Sequence, residues 1–211
     1  MMRCVKMLWC VLGCVTVAGC SESNAAVPDS GGQDAGDVLV TDADVDGGDV
    51  AALVINELRG QGDDFIEVVN PTTVAISLDG YSFTDADGIP DAADFDVLHQ
   101  IPFPADLTIA PGEHFVIAMN VDAGSGTIST DPLACYGASR CFLYEFGLSR
   151  DTLDSGAILD GVGEVVIRED WPGETAAGVT STDHSWCRLD DIVGTFVACS
   201  GTPGAVNAAV P

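Results

Sequence analysis

Residues 53–70 read LVINELRGQGDDFIEVVN. Two short runs rich in β-branched and apolar residues, LVINEL and DFIEVVN, flank a Gly/Asp tip, which predicts a hairpin opening an all-β domain. Alternation along DFIEVVN places Phe65 towards the core and Glu67 on a face shared with neighbouring strands. Asn70-Pro71 closes the run, because proline bars the preceding residue from helical backbone angles. The facing acids Glu57 and Glu67 fit a scaffold better than an active site.

Outward from this hairpin, β-type runs recur with turn residues between them, at 73–78, 81–84, 97–102, 114–119, 141–146, 163–168 and 185–189, with a last run at 195–198. Glycines such as Gly60, Gly80, Gly112 and Gly161 punctuate them, as do Pro71, Pro90, Pro104 and Pro111. No segment carries sustained 3.6-residue periodicity with helix caps. Many short strands without crossover helices imply antiparallel sheets packed as a sandwich or closed as a barrel.

The other direction leads to the N-terminus. MMRCVKMLWCVLGCVTVAGC has a basic start (Arg3, Lys6), an apolar stretch from Met7 to Ala18, and small residues before a cysteine. That is the pattern of a secretory signal, with an apolar stretch shorter than the ~20 residues a spanning helix needs. VAGC at 17–20 resembles the bacterial lipobox, which implies cleavage after residue 19 and acylation (palmitate among the chains) of Cys20 as the mature N-terminus. Two or more acyl chains hold a protein stably on a bilayer. Ser21 after the cysteine favours the outer membrane or cell surface over retention in the inner membrane. The expected organisation is therefore a signal at 1–19, a lipid-anchored linker at 20–50 and one domain at 51–211.

The linker has eight acidic residues from 21 to 50 and no basic or aromatic ones. It cannot bury enough apolar area to offset its ordering entropy, which predicts a self-repelling disordered tether. Its mean reach is on the order of 30 Å. Asp42-Ala-Asp44-Val-Asp46-Gly47 imitates the start of a calcium loop, but Leu53 stands where that loop needs a bidentate Glu.

The chain has 33 acidic residues against 7 basic ones, a formal charge of −26. Beyond Cys20 the cations are five arginines. Such a chain repels phosphate backbones, and nucleic acid is excluded as a partner on these grounds. The membrane is reached through lipid, and the expected partner is a protein or glycan at the cell surface.

Few residue groups have the makings of chemistry. Asp183-His184-Ser185 contains triad residue types, but consecutively, whereas a triad needs its base set between the other two in space. His99 and His114 fall in predicted strands, where a cross-strand hydrogen bond is the ordinary role. No catalytic residue is assigned. Asp85, Asp87, Asp91, Asp94 and Asp96 crowd a Gly/Pro-broken loop with the oxygen ligands calcium prefers, which makes Ca2+ the one candidate cofactor. Trp171-Pro172-Gly173 reads as an exposed loop that offers a contact point. Cys135, Cys141, Cys187 and Cys199 form an even set in an exported chain, which points to two disulfides. Local pairing, Cys135–Cys141 and Cys187–Cys199, needs least rearrangement of three possible connectivities.

Five segments together carry a family likeness: VINE at 54–57, DFIEVVNP at 64–71, LDGYSFTD at 78–85, IAPGEHFVI at 109–117 and TPGAVN at 202–207. In this order they resemble the lamin-tail domain, found in nuclear lamins and in secreted bacterial proteins. The resemblance implies an immunoglobulin-like antiparallel β-sandwich spanning about residues 53–207. Two departures stand out: Tyr81 where the family usually has Trp, and a longer, cysteine-bearing insertion at 128–140. The resulting expectation is a non-enzymatic, lipid-anchored envelope protein presenting a binding module. The alternatives are a calcium-stabilised structural module and an accessory part of an exported hydrolase system.

Overall fold

The computed structural model describes residues 49–87, 99–190 and 192–210. The signal, Cys20 and nearly all of the acidic linker lie outside the described residues, as do Asp91, Asp94 and Asp96. Asp49 caps a single helical turn, Val50–Ala52, by accepting a hydrogen bond from the Ala51 N–H.

The opening hairpin forms as expected. Strand β1 (Val54–Arg59) pairs antiparallel with β2 (Phe65–Val69), and Glu57 faces Glu67 across the ladder. The register shifts between Ile55 and Glu57, so Asn56 is an extra, bulged residue. The remaining strands are β3 (Ile76–Ser77), β4 (Ser82–Asp87), β5 (Ile101–Pro102), β6 (Thr108–Ile109), β7 (His114–Ala118), β8 (Ile128–Ser129), β9 (Cys141–Leu143), β10 (Asp154–Leu159), β11 (Val165–Trp171), β12 (His184–Arg188), β13 (Phe196–Ser200) and β14 (Ala208–Ala209). A one-turn helix, α1 (Glu174–Ala177), follows β11.

These strands make an eight-stranded sheet in the order β14-β13-β12-β1-β2-β7-β9-β8, a four-stranded sheet β11-β10-β4-β5, and the small pair β3-β6. The expected antiparallel pattern holds except between β7 and β9, which run parallel. The insertion that separates those two strands makes this possible, because a parallel neighbour needs a long connection.

Between the sheets lies the main core. Leu58, Ile66, Val68, Phe115, Ile117 and Phe142 from the large sheet meet Phe83, Ile158 and Trp171 from the four-stranded one. All five residues of β2 are buried, so both of its faces are covered. The main core takes Ile66 and Val68, whereas Phe65 faces the other way. There it packs with Val116, Ala118, Leu143 and the cysteine pair in a second apolar cluster. The expected core placement of Phe65 does not hold: Phe65 and Glu67, two residues apart, share the outer face, because a strand buried on both sides gives no polar face to orient it.

Two further expectations change. Trp171 is not an exposed contact point: it is fully buried at the end of β11, and its Nε1–H donates to the Ser149 carbonyl at 2.8 Å. Strand β10 has no evident β signal in DSGAIL, yet it is central in its sheet and buried at all six positions. The runs placed at 73–78, 97–102 and 141–146 shorten to β3, β5 and β9, while the run at 163–168 shifts onwards into β11.

Candidate functional site

Three places among the described residues bear on function. The first lies on the outer face of the large sheet, over the opening hairpin. Glu57 and Glu67 are fully buried there. Ser185 Oγ donates to Glu57 Oε1, and the Thr202 backbone N–H donates to the same oxygen at 3.0 Å. Glu67 accepts from Asn56 Nδ2 at 3.1 Å and from the Gly204 N–H at 2.8 Å, and its Oε1 lies 2.9 Å from His114 Nδ1. Burial, followed by the nearby Glu67 charge, pushes Glu57 up from 4.5 to about 7, against the opposing hydrogen bonds from Ser185 and Thr202.

This cluster works as a clasp. The TPGAVN segment crosses the face as an irregular strap and satisfies both carboxylates with its backbone. Asn207 Nδ2 donates to the Asn56 and Arg188 carbonyls, at 3.2 and 2.9 Å. Gly204 sits against the insertion so closely that an added Cβ would lie 2.7 Å from Ala138 Cβ. Strap and insertion together cover the outer face.

The second place is where β4 meets the start of β5. Tyr144 Oη donates to Asp85 Oδ1 at 2.7 Å, and His99 Nδ1 lies 2.8 Å from the same oxygen. The His99 ring stacks on Phe146 with centroids 3.8 Å apart. Burial raises both the Asp85 carboxyl and the Tyr144 phenol above their ordinary values. Asp85 is thus tied into the sandwich. Of the other candidate calcium ligands, Asp87 has only its backbone described. Among the described residues no group of three or more His, Cys, Asp or Glu is placed to hold a metal ion.

The residues Asp183, His184 and Ser185 do not assemble. Asp183 is exposed in the turn before β12, Ser185 is buried against Glu57, and His184 is half-buried on the opposite strand face. His114 does make the cross-strand contact expected of it, to Glu67. The cysteines pair as Cys135–Cys141 and Cys187–Cys199. The first pair lies in the outer apolar cluster, and the second ties β12 to β13 beside the clasp.

The third place is a surface pocket of about 670 Å³ between edge strands β5 and β8. Its buried lining is Phe103 and Leu107, with Pro102, Pro104 and Ile128 beside them. Two charged residues line it as well. Arg140 donates from Nε and Nη2 to the two oxygens of Glu113, at 2.6 and 2.8 Å, and lies over the Phe115 ring. Asp106 is exposed. No sequence signal marks this pocket, because its residues come from segments up to thirty-eight positions apart, 102–107, 126–128 and 140, that only the fold brings together.

The sequence model of the Lamin Tail Domain matches residues 33–177, well over half of the chain. No curated protein matches significantly. That family is a non-catalytic, immunoglobulin-like fold, and the two sheets around one apolar core agree with it. The matched span ends at α1, while β12 and β13 continue the same large sheet beside β1. On the fold and the extent of this match, which takes in four of the five ordered segments and not TPGAVN at 202–207, the chain belongs to the lamin-tail-domain family.

Proposed function

We propose that this is a non-enzymatic protein of the bacterial cell envelope, held by lipid on Cys20 and presenting its lamin-tail domain on an acidic tether as a binding module. The observation that carries the reading is the use made of the chemically capable side chains. Glu57 and Glu67 hold the strap, with Ser185 and His114 bonded to them, and Tyr144 beside the large sheet bonds Asp85 and His99 of the second. Each is employed in holding the sandwich together, which leaves the surface of the domain to carry the function, since the fold alone specifies none.

Intact-mass spectrometry of the membrane fraction tests the anchoring: diacyl or triacyl mass on Cys20 is expected, and release of the protein by Cys20→Ser. An unacylated mature chain in the soluble fraction would refute it. Photo-crosslinking on intact cells tests the module, with a discrete crosslinked partner expected. Hydrolysis of phosphoesters or peptides by the purified chain, abolished by His184→Ala, would overturn the non-enzymatic reading.

A further inference from the structure

We propose that the pocket between β5 and β8 receives a lysine-bearing segment of a basic partner protein, the lysine stem lying on Phe103 and Leu107 and its ammonium meeting Asp106. This rests on the reading of the domain as a binding module and names the surface and the partner chemistry.

The charge balance decides the class of ligand. All five arginines of the domain have carboxylate partners within the chain: Arg59 with Asp63, Arg140 with Glu113, Arg150 with Glu174, Arg168 with Asp170 and Arg188 with Glu169. The surplus of acid is therefore left to the surroundings, and a chain of charge −26 draws cations towards it. The pocket repeats that balance locally. Arg140 is neutralised by its two-point contact with Glu113, so Asp106 remains as the uncompensated charge of the lining. An anionic ligand would meet Asp106 with like charge.

The lining decides the shape of the ligand. Proline and aromatic surface beside one carboxylate suits a side chain with an apolar stem and a cationic tip, which lysine has. The volume, about 670 Å³, lies in the range that encloses drug-sized ligands, so the lysine enters with its neighbours in sequence. Strand addition is opposed at the β5 edge, because Pro102 and Pro104 have no N–H to offer an incoming backbone. Recognition therefore runs through side chains.

Amide NMR titration of the full chain with a short lysine–leucine–lysine peptide, and separately with its glutamate–leucine–glutamate counterpart, tests this. The lysine peptide should shift Phe103, Asp106, Leu107, Thr127 and Ile128. Asp106→Asn should weaken it roughly fivefold, as loss of one exposed ion pair does, and Asp106→Lys should abolish the shifts while leaving the rest of the spectrum in place. The proposal is overturned if the glutamate peptide occupies the pocket. It is equally overturned if shifts spread over the acidic surface and survive Asp106→Lys, or if neither peptide moves these amides. A partner crosslinked through another face would refute the pocket and leave the binding-module reading standing.

Discussion

Single residues here carry consequences that can be measured. Gly156 lies in the middle of β10, where an added Cβ would sit 2.1 Å from Ile66 Cδ1 and 3.1 Å from the Phe83 ring. The two sheets approach too closely at that point for any side chain. Gly156→Ala should cost about 1–3 kcal/mol through overpacking, read as a lower urea midpoint at unchanged slope. Glu57 supplies a pH signature. Its folded value near 7 lies above its ordinary 4.5, so the folded state binds the proton more tightly than the unfolded one. The stabilisation from that proton is full below 4.5, falls as pH rises through 7, and is absent above. At 1.36 kcal/mol per unit its size is on the order of 3 kcal/mol. Asp64, raised by burial to about 7, adds a loss of the same sign. Stability measured by denaturant should therefore decline between pH 5 and 7.5, and Glu57→Gln should remove part of the slope. A wild-type stability that rises across that interval would contradict the assignment.

At the scale of elements, the disulfide between β12 and β13 closes a loop with a sequence separation of 12. Replacing both Cys187 and Cys199 by serine should cost about 3 kcal/mol, by releasing loop entropy in the unfolded chain, and calorimetry would show it as a lowered Tm. Legibility from sequence also varies by element. The hairpin from β1 to β2 announces itself because alternating β-branched residues surround a Gly/Asp tip. Strand β10 stays hidden because Asp154, Ser155 and Gly156 look like a loop. They are needed as they are: Asp154 Oδ2 accepts from the Ser149 N–H, and Gly156 lets the sheets close. Trp171 misleads for a related reason, since the following Pro-Gly marks a turn but gives no sign of how the preceding strand is buried. The clasp residues are visible one by one. What joins them is the fold, which sets Glu57 beside Thr202 across a sequence separation of 145.

For the whole molecule, charge outweighs every other surface property. Self-repulsion at −26 opposes compaction, and dissolved salt screens it, the Debye length falling from about 10 Å at 0.1 M to about 3 Å at 1 M. Sodium chloride should therefore raise the thermal midpoint of this protein at neutral pH, and an unchanged or falling midpoint would mean that its acids are already compensated. The two layers differ in what they offer a partner. The outer face of the large sheet is covered by the insertion and the strap, whereas the pocket lies at the sandwich edge between β5 and β8.

The strap also sets an order of events. Glu57 and Glu67 are made early, while the backbone groups that satisfy them, at Thr202 and Gly204, are made 145 and 137 residues later. A chain emerging with its N-terminus first has Asn56 and His114 for Glu67 early, but lacks the strap's backbone donors to both acids for almost the entire length of the domain. The hairpin that begins the fold thus acquires its last hydrogen-bond partners from the segment near the end of the domain.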